Sequence, residues 1–191
     1  MVWRSVSGLA LVIVLAAGCA TTPTAAGSAA LREGRAAEAA ERFKEALAED
    51  PARLAALIGL GVSRYRLGAY DEAIAALTDA VTRAPEQPAA RLYVALSHIR
   101  KREDTKAEEQ LTALRGLPLE PRFTALVDQT LALMRSGPMP DAVRTYVVAS
   151  LDYAADWSRE LAETRQALRS AQLAWDPFFS RPSSIIRCRN C

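Results

Sequence analysis

Apolar residues recur along this chain in three patterns. An unbroken run from Leu9 to Ala17 opens it, well short of the ~20 residues that a bilayer-spanning helix needs. From residue 20 onward the pattern becomes a recurrence every 34 residues. Laying 20–53, 54–87 and 88–121 on one another without gaps aligns Gly27, Gly61 and Ala95, then Ala39, Ala73 and Ala107, then Phe43, Leu77 and Leu111. Ala46, Ala80 and Leu114 also coincide, as do Pro51 and Pro85. Each unit predicts two helices. Gly34 and Gly68 end the first helices, where a left-handed residue costs glycine little, and Pro51 and Pro85 stop the second. Gly61 and Ala95 face Ala73 and Ala107, so the paired backbones approach near the short end of the usual 8–10 Å range. Leu60, Ile74, Leu77, Val94 and Leu111 supply the stripe that stacking buries.

The third pattern is a helical stripe. A helix is predicted over 122–135, then a break at Ser136-Gly137-Pro138-Met139-Pro140. Over 141–175, Val143, Tyr146, Val147, Ser150, Tyr153, Ala154, Trp157, Leu161 and Leu168 recur at helical spacing. This predicts one long helix, or two nearly continuous ones, capping the last apolar face of the array. Residues 176–191 show no period and read as a flexible tail.

Composition sharpens the picture. Alanine makes up about a fifth of the chain, while glycine (9) and aromatic residues (6%) are scarce, which favours packed helices over a sandwich or barrel. The 24 Lys+Arg against 22 Asp+Glu leave no general pull towards nucleic acid. One His and three Cys are little material for a metal centre or a histidine-based catalytic site. His98 falls on a repeat helix at a position that ordinarily packs against its neighbour, and reads as structural. Glu103, Asp104, Glu108 and Glu109 read as a solvated helix face. Gly59 and Gly61 lie inside a predicted helix and form no phosphate loop. These observations exclude no chemistry outright, but they predict a protein that is not an enzyme, with no cofactor and no metal.

At the N-terminus, Arg4, the apolar run and then Leu15-Ala16-Ala17-Gly18-Cys19 resemble a bacterial lipoprotein signal. The resemblance implies that residues 1–18 are a signal peptide and that Cys19 is lipidated, carrying a diacylglyceryl group and an N-acyl chain. Residues 19–23 would be the lipidated tether. Two or three acyl chains anchor stably where one does not. Ala20 after the cysteine, with no Asp, implies an outer-membrane anchor facing the periplasm.

The second repeat reads Leu57-x2-Leu60-Gly61, Gly68-x-Tyr70-Asp71-Glu72-Ala73-Ile74, Leu77-x2-Ala80 and Pro85, and it resembles the tetratricopeptide repeat. The resemblance implies an α-solenoid of antiparallel helix pairs over 24–119, with capping helices over 120–175. The third unit departs from it with Arg91 and His98 at aromatic positions, and with Arg102 in place of the turn glycine. The family's concave face would carry the partner-binding groove: Ile58, Val62, Tyr65 and Arg66, then Leu92, Leu96, Ile99 and Arg100. Geometry supports the grouping, since Ile58, Val62 and Tyr65 at i, i+4 and i+7 share one stripe, as do Leu92, Leu96 and Ile99. The C-terminal helix or the Phe178-Phe179 tail is an alternative occupant of that groove. The expected role is a protein-binding scaffold in an envelope assembly serving a pilus secretin, outer-membrane protein assembly or cell-wall machinery. A periplasmic small-ligand-binding or transporter accessory protein is the other class, and it needs an enclosed pocket. Cys188 and Cys191 stand as a C-x-x-C pair, open to a small disulfide, to no role, or to redox or metal chemistry.

Overall fold

The computed structural model describes residues 22–179. The signal segment, Cys19, Cys188 and Cys191 lie outside the described residues. Eight helices follow in order: α1 (Pro23–Arg32), α2 (Ala36–Glu49), α3 (Leu54–Arg66), α4 (Tyr70–Arg83), α5 (Pro88–Arg100), α6 (Asp104–Arg115), α7 (Pro121–Arg135) and α8 (Asp141–Phe179). No strand occurs among the described residues, and none of these helices is long and apolar enough to cross a membrane. The fold is an all-α solenoid, with α1–α2, α3–α4 and α5–α6 as antiparallel pairs, each stacked on the next.

One local device closes every pair. The backbone N–H of Arg35 donates to the Ala30 carbonyl, Ala69 to Arg64, and Glu103 to His98, at 2.8, 2.9 and 3.0 Å. Such a bond back across the helix end needs a left-handed residue just before the donor. Gly34 and Gly68 supply it at φ 77° and 78°, and in the third pair Arg102 is forced into the same region at φ 62°.

The repeat register is visible in the packing. Ala39, Ala73 and Ala107 are fully buried, as are Leu77 and Leu111, with Phe43 in the equivalent place of the first pair. Small residues make the room: a Cβ on Gly61 would stand 2.3 Å from Leu77 Cγ, and one on Gly59 would stand 2.3 Å from the Phe43 ring. Ser63 and Ser97, equivalent in the two later pairs, are buried, and their hydroxyls donate to the carbonyls of Gly59 and Tyr93, both at 2.7 Å.

Beyond the third pair the order changes. α7 packs on α6, and the single unbroken α8 then turns back over α7 and α5. Val147, Val148 and Leu151 of α8 join Leu92, Leu96 and Ile99 of α5 in one continuous core. Arg144 locks the crossing, although it is 8% exposed. Its Nη1 donates to the Ile99 carbonyl at the end of α5 (2.9 Å), and its Nη2 to Asp104 Oδ2 at the start of α6 (2.9 Å). A 39-residue helix at ~1.5 Å per residue spans ~58 Å. Its first part is seated in the body, whereas Glu160 and residues 162–171 are exposed.

Candidate functional site

The first helices of the three pairs line the concave face, and the structure divides the eight groove residues expected from sequence. On α5, Leu92, Leu96 and Ile99 are at most 1% exposed. They lie in the core shared with α8, so this stretch of the groove is filled by the chain's own helix. The physical reason is that α5 is apolar on nearly its whole circumference, with every residue from Leu92 to Ile99 buried. Such a helix requires cover on all sides. Arg100 at its end remains exposed.

On α3 the outcome differs. Val62 and Tyr65 are buried, Ile58 is half-exposed, and Arg66 reaches out from the helix end. Among the described residues α8 meets α3 at the helix end, where Arg66 reaches Asp156, and no backbone packing of α8 on the rest of α3 or on α1 occurs. Ser28 and Leu31 of α1 are also half-exposed.

The border between the filled stretch and the rest of the groove is polar and aromatic. The Tyr93 hydroxyl donates to Asp152 Oδ1 at 2.7 Å. Arg66 Nη2 meets Asp156 at 3.4 Å, while its Nη1 donates to the Leu31 carbonyl at 3.0 Å. The Tyr65 ring stands edge-on to Tyr93, 5.2 Å between centroids, and 6.0 Å from Tyr70. Burial pushes the Tyr65 hydroxyl up to about 12, with the Asp152 charge adding and the hydrogen bond from Arg100 opposing. Burial, then Asp152, hold Tyr93 well above the usual phenol range. Both tyrosines stay protonated at physiological pH, Tyr93 donating to Asp152 and Tyr65 accepting from Arg100. Tyr93, Asp152 and Asp156 are border residues that the stripe argument missed. Tyr93 adjoins Leu92 in the register and was accessible to it, but the two aspartates were not, because their partners lie 59 and 90 residues away.

Of the four acidic residues read as a solvated face, Glu109 is exposed, while Glu103, Asp104 and Glu108 are partly exposed and paired. His98 Nδ1 meets Glu103 Oε2 at 2.7 Å across the α5–α6 turn, and Glu103 also pairs with Lys101 and Lys106. Lys101 first, then His98, hold the Glu103 carboxyl down at about 2. Asp104 is lowered by its hydrogen bonds from Arg144, and Glu108 pairs with Arg135 at 2.6 Å. His98 is buried within this turn.

A second concavity, an open cleft of about 580 Å³, lies between α7 and α8. Phe123 and Leu126 line it with the exposed Tyr146 and Tyr153. It is a surface cleft, open to solvent.

Comparison with known proteins agrees with this architecture. The family model described as tetratricopeptide repeat matches residues 24–88 and 63–121. These matches span more than half the chain, which therefore belongs to the tetratricopeptide repeat family. No curated protein matches it. Among solved structures it is similar to the Yersinia enterocolitica type III secretion translocator chaperone SycD. That match has 21% identity and a TM-score of 0.56, covering 60% of this chain and 81% of that one. An alternative dimer of SycD matches at 22% identity and TM-score 0.55, covering 60% and 89%. SycD in complex with a peptide of the translocator YopD matches at 21% and 0.55, covering 60% and 90%.

Proposed function

We propose that this protein is a non-catalytic scaffold of a bacterial cell envelope, anchored through lipid on Cys19, which receives a segment of a partner protein on its concave face. The observation that carries the reading is the stretch over α1 and α3, where Ile58, Leu31 and Ser28 keep partial exposure beside a third pair capped by α8. Partly exposed apolar side chains in a concave surface that the fold itself holds in shape suit a peptide segment. That a similar repeat protein, SycD, has been solved with a peptide of its translocator supports it. The lipobox-like Leu15-Ala16-Ala17-Gly18-Cys19 supports the outer-membrane, periplasm-facing placement. The envelope machine it serves is taken as a pilus, outer-membrane protein assembly or cell-wall system.

In-cell photocrosslinking tests the reading, from Ile58 and Leu31, with Glu45 on α2 as the control. Capture of the same protein from both concave positions and not from Glu45 is the expected result. Equal capture from Glu45, or none from Ile58, overturns it. In the same strain, globomycin should leave a larger unprocessed form, and an unchanged size defeats the lipid anchor.

A further inference from the structure

The charges of this solenoid are sorted by helix. α1, α3 and α5, which line the concave face, contain no carboxylate. Their partners α2, α4 and α6 carry ten. An arginine occupies the same repeat position in all three lining helices: Arg32, Arg66 and Arg100, each 34 residues from the next. Neighbouring lining helices lie about 10 Å apart, so the three form a row along one edge of the groove. Arg66 has a structural duty, capping the α1 carbonyl of Leu31. Arg32 and Arg100 are exposed, Arg100 also donating to the Tyr65 hydroxyl. Glu33, beside Arg32, is engaged by Arg35.

The molecule also shows what this edge accepts. Where α8 crosses it, Asp152 and Asp156, one helical turn apart, meet Tyr93 and Arg66. An apolar helix face seated on the groove with carboxylates along its flank is therefore an arrangement that the fold already contains. From this charge complementarity we infer that the partner segment is acidic: an amphipathic stretch that lies over α1 and α3, with carboxylates facing the exposed Arg32 and Arg100 on either side of Arg66, which Asp156 and the Leu31 carbonyl already hold. This inference rests on the concave face being the binding surface.

The test uses the purified full chain in detergent micelles and three fluorescent 16-residue amphipathic peptides. They share one apolar face and carry Glu, Gln or Lys along the polar edge, and binding is read by anisotropy. The Glu-edged peptide should bind roughly five- to tenfold tighter than the Gln-edged one, and the Lys-edged one more weakly still. Raising salt should shrink the preference. Arg32→Gln with Arg100→Gln should abolish most of it, whereas Arg42→Gln with Arg83→Gln on the second helices should not. Both pairs are exposed, and unchanged circular dichroism verifies the fold. Equal binding of Glu- and Gln-edged peptides, blocked by Ile58→Trp, overturns acid recognition but leaves the groove reading intact. Binding of none of the three, or binding indifferent to Ile58→Trp, overturns both. Capture of phosphatidylglycerol vesicles through Arg32 and Arg100 with no acidic-peptide preference assigns the row to lipid and overturns the inference.

Discussion

Glycine matters here for two opposite reasons, room and backbone conformation. At Gly61 the issue is room, because Leu77 already occupies the place of a Cβ. Alanine is the better helix former by about 1 kcal/mol, yet overpacking costs ~1–3 kcal/mol. Gly61→Ala should therefore lower the unfolding free energy in a urea titration, and an unchanged or higher midpoint contradicts the close-approach account. At the pair-closing turns the issue is conformation. Arg102 adopts φ 62° where its two equivalents are glycines, and a left-handed backbone costs a side chain ~1–2 kcal/mol. Arg102 also makes an exposed pair with Asp141 at 2.8 Å, worth little. Arg102→Gly should thus stabilise the protein by about 0.5–1 kcal/mol, after the extra chain entropy of glycine. A lower thermal midpoint for this variant defeats the strain argument.

At the scale of helices, α8 decides the character of the site. It sits across α5 through apolar packing and through Arg144, whose donors satisfy the end of one helix and the start of the next. Replacing Arg144 by Met keeps the packing stem but strands the Ile99 carbonyl and Asp104. We expect Arg144→Met to cost about 2–3 kcal/mol, with hydrogen exchange accelerating over 141–156 and not over α1–α4. Uniform acceleration along the chain shows instead that α8 is no separate docking unit. A second source of order is the α5–α6 turn, where Lys101, His98 and Lys106 hold Glu103 at about 2. Because its folded-state value is depressed, its stabilising contribution is present above the ordinary carboxylate range and is lost as pH falls towards 2.

At the scale of the molecule, two faces with different charge arise from the same repeat. Lining helices carry arginine without acid, and outer helices carry the carboxylates. Repetition at 34 residues stacks these biases into continuous surfaces, so a single repeat position becomes a row. The register, the pair-closing turns and the buried alanines were legible in the sequence, because helix pairing is set by neighbours a few tens of residues apart and small residues announce close approach. Of the groove residues expected on α3, Ile58 and Arg66 keep partial exposure, whereas Val62 and Tyr65 are buried. Burial of Leu92, Leu96 and Ile99 was not legible either. An apolar stripe such as Val147, Val148 and Leu151 states that something must cover it, but not what. Local periodicity therefore determined the solenoid, and tertiary structure alone decided which concave stretch remains available. That choice depends on contacts such as Arg144 with Ile99 and Tyr93 with Asp152, 45 and 59 residues apart, which no periodicity encodes.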